Sequence, residues 1–241
     1  MKKVLLVIMM VLVGSLVAES GEIEKVIVDV CKNRAEAIEK ARCLFTIYDK
    51  SGNKMADGKE IWVKRKIRWE NNGSQGTFLK VYDGKYEYAQ GVGLPTLDVY
   101  RSDFDYLYKK YGKLAKFILP LDIRDVFTRI KQDSLKYVGI KNVSDESSWA
   151  EYVYVFEGTY LRLNVDNRKL ESYNCKLEID SKTGLLYRLE IKGSERCLII
   201  EKVEFDSGIN EGIFKVEEKN FVDSTLFWDR LLKEIIEGGG S

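Results

Sequence analysis

The chain has no histidine, only 2 prolines and 4 cysteines among 241 residues, and almost no net charge, at +1. Without imidazole it cannot build a Ser-His-Asp or Cys-His nucleophilic site, a histidine general base or a histidine-ligated metal centre. With 39 Lys+Arg against 38 Asp+Glu it lacks the basic excess that nucleic-acid binding requires. No stretch has the composition of a linker, and no apolar run reaches the roughly 20 residues of a membrane-spanning helix. What is present is 45% hydrophobic and 12% aromatic residues, enough to bury a core and to exclude wholesale disorder.

The longest apolar run, Val4 to Val17, follows Lys2-Lys3 and precedes Ala18-Glu19-Ser20. Basic, apolar and small-residue regions in that order predict a secretory signal over residues 1–20, cut after Ser20. The first cysteine is Cys31, so no cysteine at the cut is placed to carry lipoprotein acyl groups, and the mature chain is expected to be soluble. It would hold equal numbers of basic and acidic residues, so attraction to membranes through net charge is not expected. Cys31, Cys43, Cys175 and Cys197 allow three disulfide pairings. Neighbouring predicted elements favour Cys31 with Cys43 and Cys175 with Cys197, and four buried free thiols are the other outcome.

Apolar residues three and four apart predict an amphipathic helix over Ile23–Ala41. Strand patterns follow at Cys43–Tyr48, Ile61–Arg68, Thr77–Tyr82, Tyr86–Gln90 and Leu97–Tyr100, with turns at Asp49–Gly52 and Asp83-Gly84. Helical pieces are predicted at Phe104–Tyr111 and, after Pro120 and capped by Asp122, at Ile123–Ile130. Strands resume at Leu135–Val143, Tyr152–Gly158, Tyr173–Ile179, Leu185–Ile191 and Cys197–Phe205. Ser224–Glu237 reads as an amphipathic helix capped by Ser224, docked on the body or else free to bind a partner or a membrane surface, with a glycine tail after it. The order gives an α+β fold with an extended antiparallel sheet: residues 21–222 form one domain, and 223–241 the C-terminal helix and tail.

Ile61-Trp62-Val63-Lys64-Arg65, Arg68-Trp69-Glu70 and Val81-Tyr82-Asp83-Gly84-Lys85, after Tyr48-Asp49-Lys50-Ser51-Gly52, resemble in content and order the periplasmic outer-membrane lipoprotein carrier (LolA-type) family. Leu177–Leu185, Leu189-Glu190-Ile191 and Ile209–Lys215 are similar to its last hairpins and closing strand. The resemblance implies a strongly curved antiparallel sheet, an incomplete barrel, covered by a helical lid over a hydrophobic cavity for acyl chains. Strand alternation supplies candidate wall residues: Phe45 and Ile47, then Ile61, Val63 and Arg65, Leu79 and Val81, with Tyr86 and Tyr88 beside them. The family's matching arginine carries onto Arg65 a role in holding the lid to the barrel. Two features depart from the family: Lys66 stands where a proline is common, and Tyr100–Trp149 matches nothing specific.

The resemblance therefore implies a periplasmic carrier, expected as a monomer. It would bind lipoprotein or lipid acyl chains without cofactor, metal or catalysis, and work with membrane-bound donor and acceptor proteins. A lipid-sensing regulator of the envelope-stress type on the same fold is the alternative.

Overall fold

The computed structural model describes residues 20–91, 98–147, 149–194, 196–205, 208–216 and 221–238. Helix α1 (Ser20–Glu36) presents Ile27, Cys31 and Ala35, four apart, to the sheet. Five strands follow in hairpin sequence: β1 (Lys40–Tyr48), β2 (Lys54–Val63), β3 (Lys66–Gly73), β4 (Gly76–Tyr82) and β5 (Tyr86–Gly91). Then come β6 (Val99–Asp103), helix α2 (Phe104–Tyr111), and short 3-10 turns at Gly112–Phe117, Val126–Arg129 and Gln132–Ser134. The second half comprises β7 (Lys136–Asn142), β8 (Tyr152–Asn164), β9 (Lys169–Asp180), β10 (Leu186–Ile191) and β11 (Arg196–Phe205). A 3-10 turn at Glu211–Phe214, strand β12 (Phe221–Asp223) and helix α3 (Thr225–Gly238) end the described chain.

All twelve strands form one curved, unclosed sheet in the order β12-β6-β5-β4-β3-β2-β1-β11-β10-β9-β8-β7. The pairs are antiparallel except β12 with β6, and β1 joins the halves by pairing with both β2 and β11. Register assigns the faces. One row runs Ala41–Trp62–Ile67–Tyr82–Glu87–Ser102 across neighbouring strands, on the face that carries the helices. In the second half this inner face holds Phe156, Leu177, Leu189 and Ile200, packed with α1 and the segment after α2. The outer face of the first half carries Ile61, Val63, Val81 and Tyr88 under Ile209, Phe214 and Phe221.

Most expected elements are present, but the closing strand expected over Ile209–Lys215 is the 3-10 turn Glu211–Phe214, and the helix expected over Ile23–Ala41 ends at Glu36. The Ile61–Arg68 strand is two strands, because Lys64 takes φ +54 and Lys64-Arg65 forms a two-residue turn between the paired Val63 and Lys66. The helix expected over Ile123–Ile130 is only the 3-10 turn Val126–Arg129. The sheet occupies its backbone: Ile123 N–H donates to Glu60 and Ile123 C=O accepts from Leu186 N–H. Asp122, expected as the cap, instead accepts from Arg124 N–H. Ser224 stands directly before α3, and its hydroxyl meets Ser102 at 2.8 Å inside the sheet. As expected, α3 docks on the body, burying Leu231 and Leu232. Residues 1–19 of the signal segment expected over 1–20, Leu97 and the tail after Gly238 lie outside the described residues.

All four cysteines are free thiols, so neither favoured disulfide is present. For Cys175 and Cys197 geometry forbids one: β10 lies between them, and they pair with adjacent residues Ile191 and Glu190, on opposite faces. Two strand spacings are about 9.5 Å, beyond the reach of a disulfide. Cys31 and Cys43 lie in one core, and burial pushes the Cys31 thiol up to about 12, keeping it protonated and unreactive.

Phe45 lies across from Gly58 and stacks on Trp69 at 5.4 Å between ring centroids. A Cβ on Gly58 would collide with that ring and with the Glu70 carbonyl. Gly58→Ala is expected to lower stability by about 1–3 kcal/mol, read as a lower denaturant midpoint at unchanged slope. Gly73→Ala, where a Cβ meets its nearest neighbours at 3.9 Å, should cost under about 0.5 kcal/mol.

Candidate functional site

The segment from Phe104 to Arg129 crosses the inner face as a cover. It begins with α2, whose first turn is closed by Asp103 accepting from Tyr106 N–H at 3.0 Å. Phe104, Leu107, Ala115 and Ile118 then bury against Ile67, Tyr82 and Leu232 of α3. Beyond Pro120, Ile123, Val126 and Phe127 sink into the main core beside Trp62, Phe156 and Tyr160. Apolar contact thus seats the cover at both ends.

Charged side chains fasten it between those seats. Lys80 donates to the Ile118 carbonyl, and Glu60 accepts from Ile123 N–H at 3.2 Å. Arg124 donates to the Lys64 carbonyl at 2.6 Å, forks onto both Asp122 oxygens, and lies 5.1 Å from the Trp62 ring centroid. Arg129, 8% exposed, ties the cover to itself by donating to the Lys116 and Leu119 carbonyls over the Phe117 ring. Below, Lys80 pairs with Glu87 at 3.3 Å, and Glu87 accepts from Ser102, which meets Ser224. A polar chain therefore runs from the start of α3 beneath the sheet face to the cover.

Glu60 is fully buried, and its Oε2 has no partner among the described residues. Burial pushes its carboxyl well above the usual carboxylate range; Asp122 adds to this and Arg124 opposes it. Glu87 shifts the same way through burial, offset in part by Lys80 and Ser102.

Where the cover meets α1 and the β2–β3 turn, a cleft of about 730 Å³ opens. Ile67, Tyr82, Phe104 and Leu119 give it an apolar side, and Lys32, Lys64, Arg65, Lys116 and Arg124 supply its cations. Its acids are Glu36, Glu39, Asp105, Asp122 and Asp125. Beneath the rest of the cover the inner face is packed with side chains.

The structure does not assemble the expected wall. Phe45 and Ile47 lie on the inner face, whereas Ile61, Val63, Leu79, Val81, Tyr86 and Tyr88 lie on the outer face under residues 208–216 and Phe221. The cause is register: Phe45 opposes Gly58, so Glu60 and Trp62 are the inner residues of β2. Arg65 is exposed in the turn, not on a strand with Ile61 and Val63, and it lines the cleft without fastening the cover. The fastening residues missed in the sequence are Glu60, Lys80, Arg124 and Arg129. A faint signal existed for Glu60, a carboxylate beside the apolar run Ile61–Val63, since a charge in such a run needs a partner.

No group of three or more Cys, Asp or Glu side chains is placed to hold a metal ion among the described residues. Nor is any described helix long and apolar enough to cross a membrane. No protein-family model and no curated protein sequence matches the chain. Solved structures share its general architecture at low similarity. MucB in complex with MucA(peri) has a TM-score of 0.40 at 12% identity, over 78% of this chain and 57% of that one. LprF from Mycobacterium bovis has 0.41 at 11%, over 78% and 94%, and a LolA superfamily protein from Nitrosomonas europaea 0.34 at 12%, over 78% and 97%. This chain spans only 57% and 62% of the two MucB structures. One of these is a LolA superfamily protein, the family the sequence resembles, and at these values the likeness carries no argument about this chain.

The raised carboxyl of Glu60 has a consequence for stability. Between the ordinary Glu value and its own, the folded chain holds a proton that the unfolded chain has released, so stability falls as pH rises through that window. Glu60→Gln keeps the Ile123 acceptor without the charge. Thermal melts should show the variant matching the parent near pH 5 and exceeding it near pH 8, and a parent that gains on the variant as pH rises would contradict the assignment.

Proposed function

We propose that this chain is an exported carrier of the cell envelope that shelters the acyl part of a lipid or lipoprotein under the cover and in the adjoining cleft, for transfer towards the outer membrane. The carrying observation is the cleft itself, with an apolar side for a hydrocarbon chain and, among its balanced charges, Lys32, Lys64 and Arg65 outside any ion pair among the described residues and so able to meet an acidic head group. Its volume lies within the range of sites for single small ligands. A longer chain must displace the cover, and the energies permit this. Burial of an acyl chain contributes about 0.8 kcal/mol per CH₂. Each charge-assisted hydrogen bond of the cover contributes about 1.5–3 kcal/mol. Around a dozen methylenes therefore offset the loss of several fasteners, and release follows when the cover closes again or an acceptor competes. The signal segment expected over residues 1–20 agrees with an envelope location, and no chemistry is required of the site.

Uptake of a fluorescent fatty acid by the purified chain tests this reading. Saturable binding at about one probe per chain is expected, and Leu119→Asp should weaken it at least tenfold. Arg65→Leu should leave the melting temperature unchanged, because Arg65 is exposed in a turn, yet speed release of the fatty acid and not of its methyl ester. Absence of uptake at any probe concentration would overturn the carrier reading. Crosslinking to a membrane regulator in place of lipoproteins would move it to the sensing alternative.

A further inference from the structure

Helices α2 and α3 lie side by side, joined through Asp229. Its carboxylate accepts from Lys110 at 2.7 Å and from Tyr106 and Tyr111, and its carbonyl accepts from Tyr111 at 2.8 Å. The face of α3 that carries Asp229 also carries Leu226, Lys233 and Ile236, spaced three, four and seven residues from it. Leu226 is 78% exposed, more than any other large hydrophobic residue described, and Ile236 and Tyr106 are exposed as well. Apolar groups thus project outward along a line where α3 could have turned polar residues to solvent.

Cations surround them. Lys109 and Lys110 of α2 and Arg230 and Lys233 of α3 are exposed, and so is Lys113 in the turn directly after α2. Lys110 is neutralised by Asp229, and Lys233 lies 3.7 Å from Glu237. Lys109, Lys113 and Arg230 have no ion pair among the described residues. Asp105 is the remaining exposed acid of α2, while Glu234 is engaged by Arg168 at 2.9 Å. The chain as a whole carries a net charge of only +1, so this excess is a matter of placement and not of composition.

We propose that this surface docks on an anionic lipid bilayer, with Leu226, Ile236 and Tyr106 entering the interface and Lys109, Lys113 and Arg230 meeting head groups. Exposed aliphatic and tyrosine side chains flanked by unpaired cations match the interface of an acidic membrane in both polarity and charge. The inference stands on residues other than those of the proposed ligand site.

The test is flotation of the full chain with vesicles of phosphatidylcholine and phosphatidylglycerol, against phosphatidylcholine alone. The chain is expected to float with the acidic vesicles only, less so as salt rises. Each cation near such a surface is worth about fivefold in partitioning, so Lys109→Glu/Lys113→Glu/Arg230→Glu should lower it by at least about a hundredfold. Leu226→Ser should lower it by about tenfold, and because Leu226 is exposed its melting temperature should not change. Equal flotation of parent and variants, or none by the parent, overturns the proposal. So does a concentration-dependent dimer that Leu226→Ser dissolves without changing flotation, which would assign the face to a second copy. Fatty-acid uptake without vesicles should be unchanged in these variants. A parent that floats but takes up no probe keeps the docking surface and loses the carrier reading.

Discussion

Strand β1 is hydrogen-bonded along both edges, to β2 and to β11, and through it two meanders distant in sequence become a single surface. With β1 in place, Trp62 and Ile67 of the first half and Leu177, Leu189 and Ile200 of the second share one apolar face. A face of that extent cannot stay in water. It is closed from three directions: by α1, by the cover between Phe104 and Arg129, and by α3. Register errors at β1 would propagate through every later strand, because a slip of one residue exchanges the two faces. The Phe45 ring over Gly58 opposes such a slip by admitting no side chain at that position.

The cover is fastened unlike the rest of the fold. Elsewhere the sheet is held by continuous ladders, whereas the cover between its apolar seats depends on a few side chains, Lys80, Glu60 and Arg124, reaching single backbone groups. Arg129 keeps its own shape. Such contacts can be exchanged for water one at a time, which makes the cover the natural place for local opening. Glu60 sharpens this. A buried carboxyl with one oxygen unpartnered is poorly stabilised in the closed state, so the same residue both anchors the cover and leaves it readily opened. The chain from Lys80 through Glu87 and Ser102 to Ser224 also places the cover and α3 in one polar network.

Much of the strand order was legible because its signals are local. The Asp83-Gly84 turn, the alternation in Thr77–Tyr82 and the helical piece Phe104–Tyr111 each rest on signals within a few residues. The faces were not legible. Glu60 through Val63 are all buried, so alternation cannot say which of them look inward, and only pairing with β1 decides. The pattern Ile123, Val126, Phe127, Ile130 has helical spacing, yet these residues line an irregular cover whose backbone bonds go to Glu60 and Leu186. Arg65 drew attention through strand parity that ends at Val63, whereas Arg129 has its partners only once the cover is folded. Long-range pairing separates the readable part from the rest.

On the carrier reading proposed above, the cover opens locally over a stable sheet and responds to acyl ligand. Amide hydrogen exchange resolved along the chain, with and without saturating fatty acid, tests it most directly. Weaker protection is expected over residues 112–129 than in β1, β2 and β11, with the change on ligand binding confined to the cover and the residues lining the cleft. Protection of the cover equal to that of the central strands, unaltered by ligand, would contradict it.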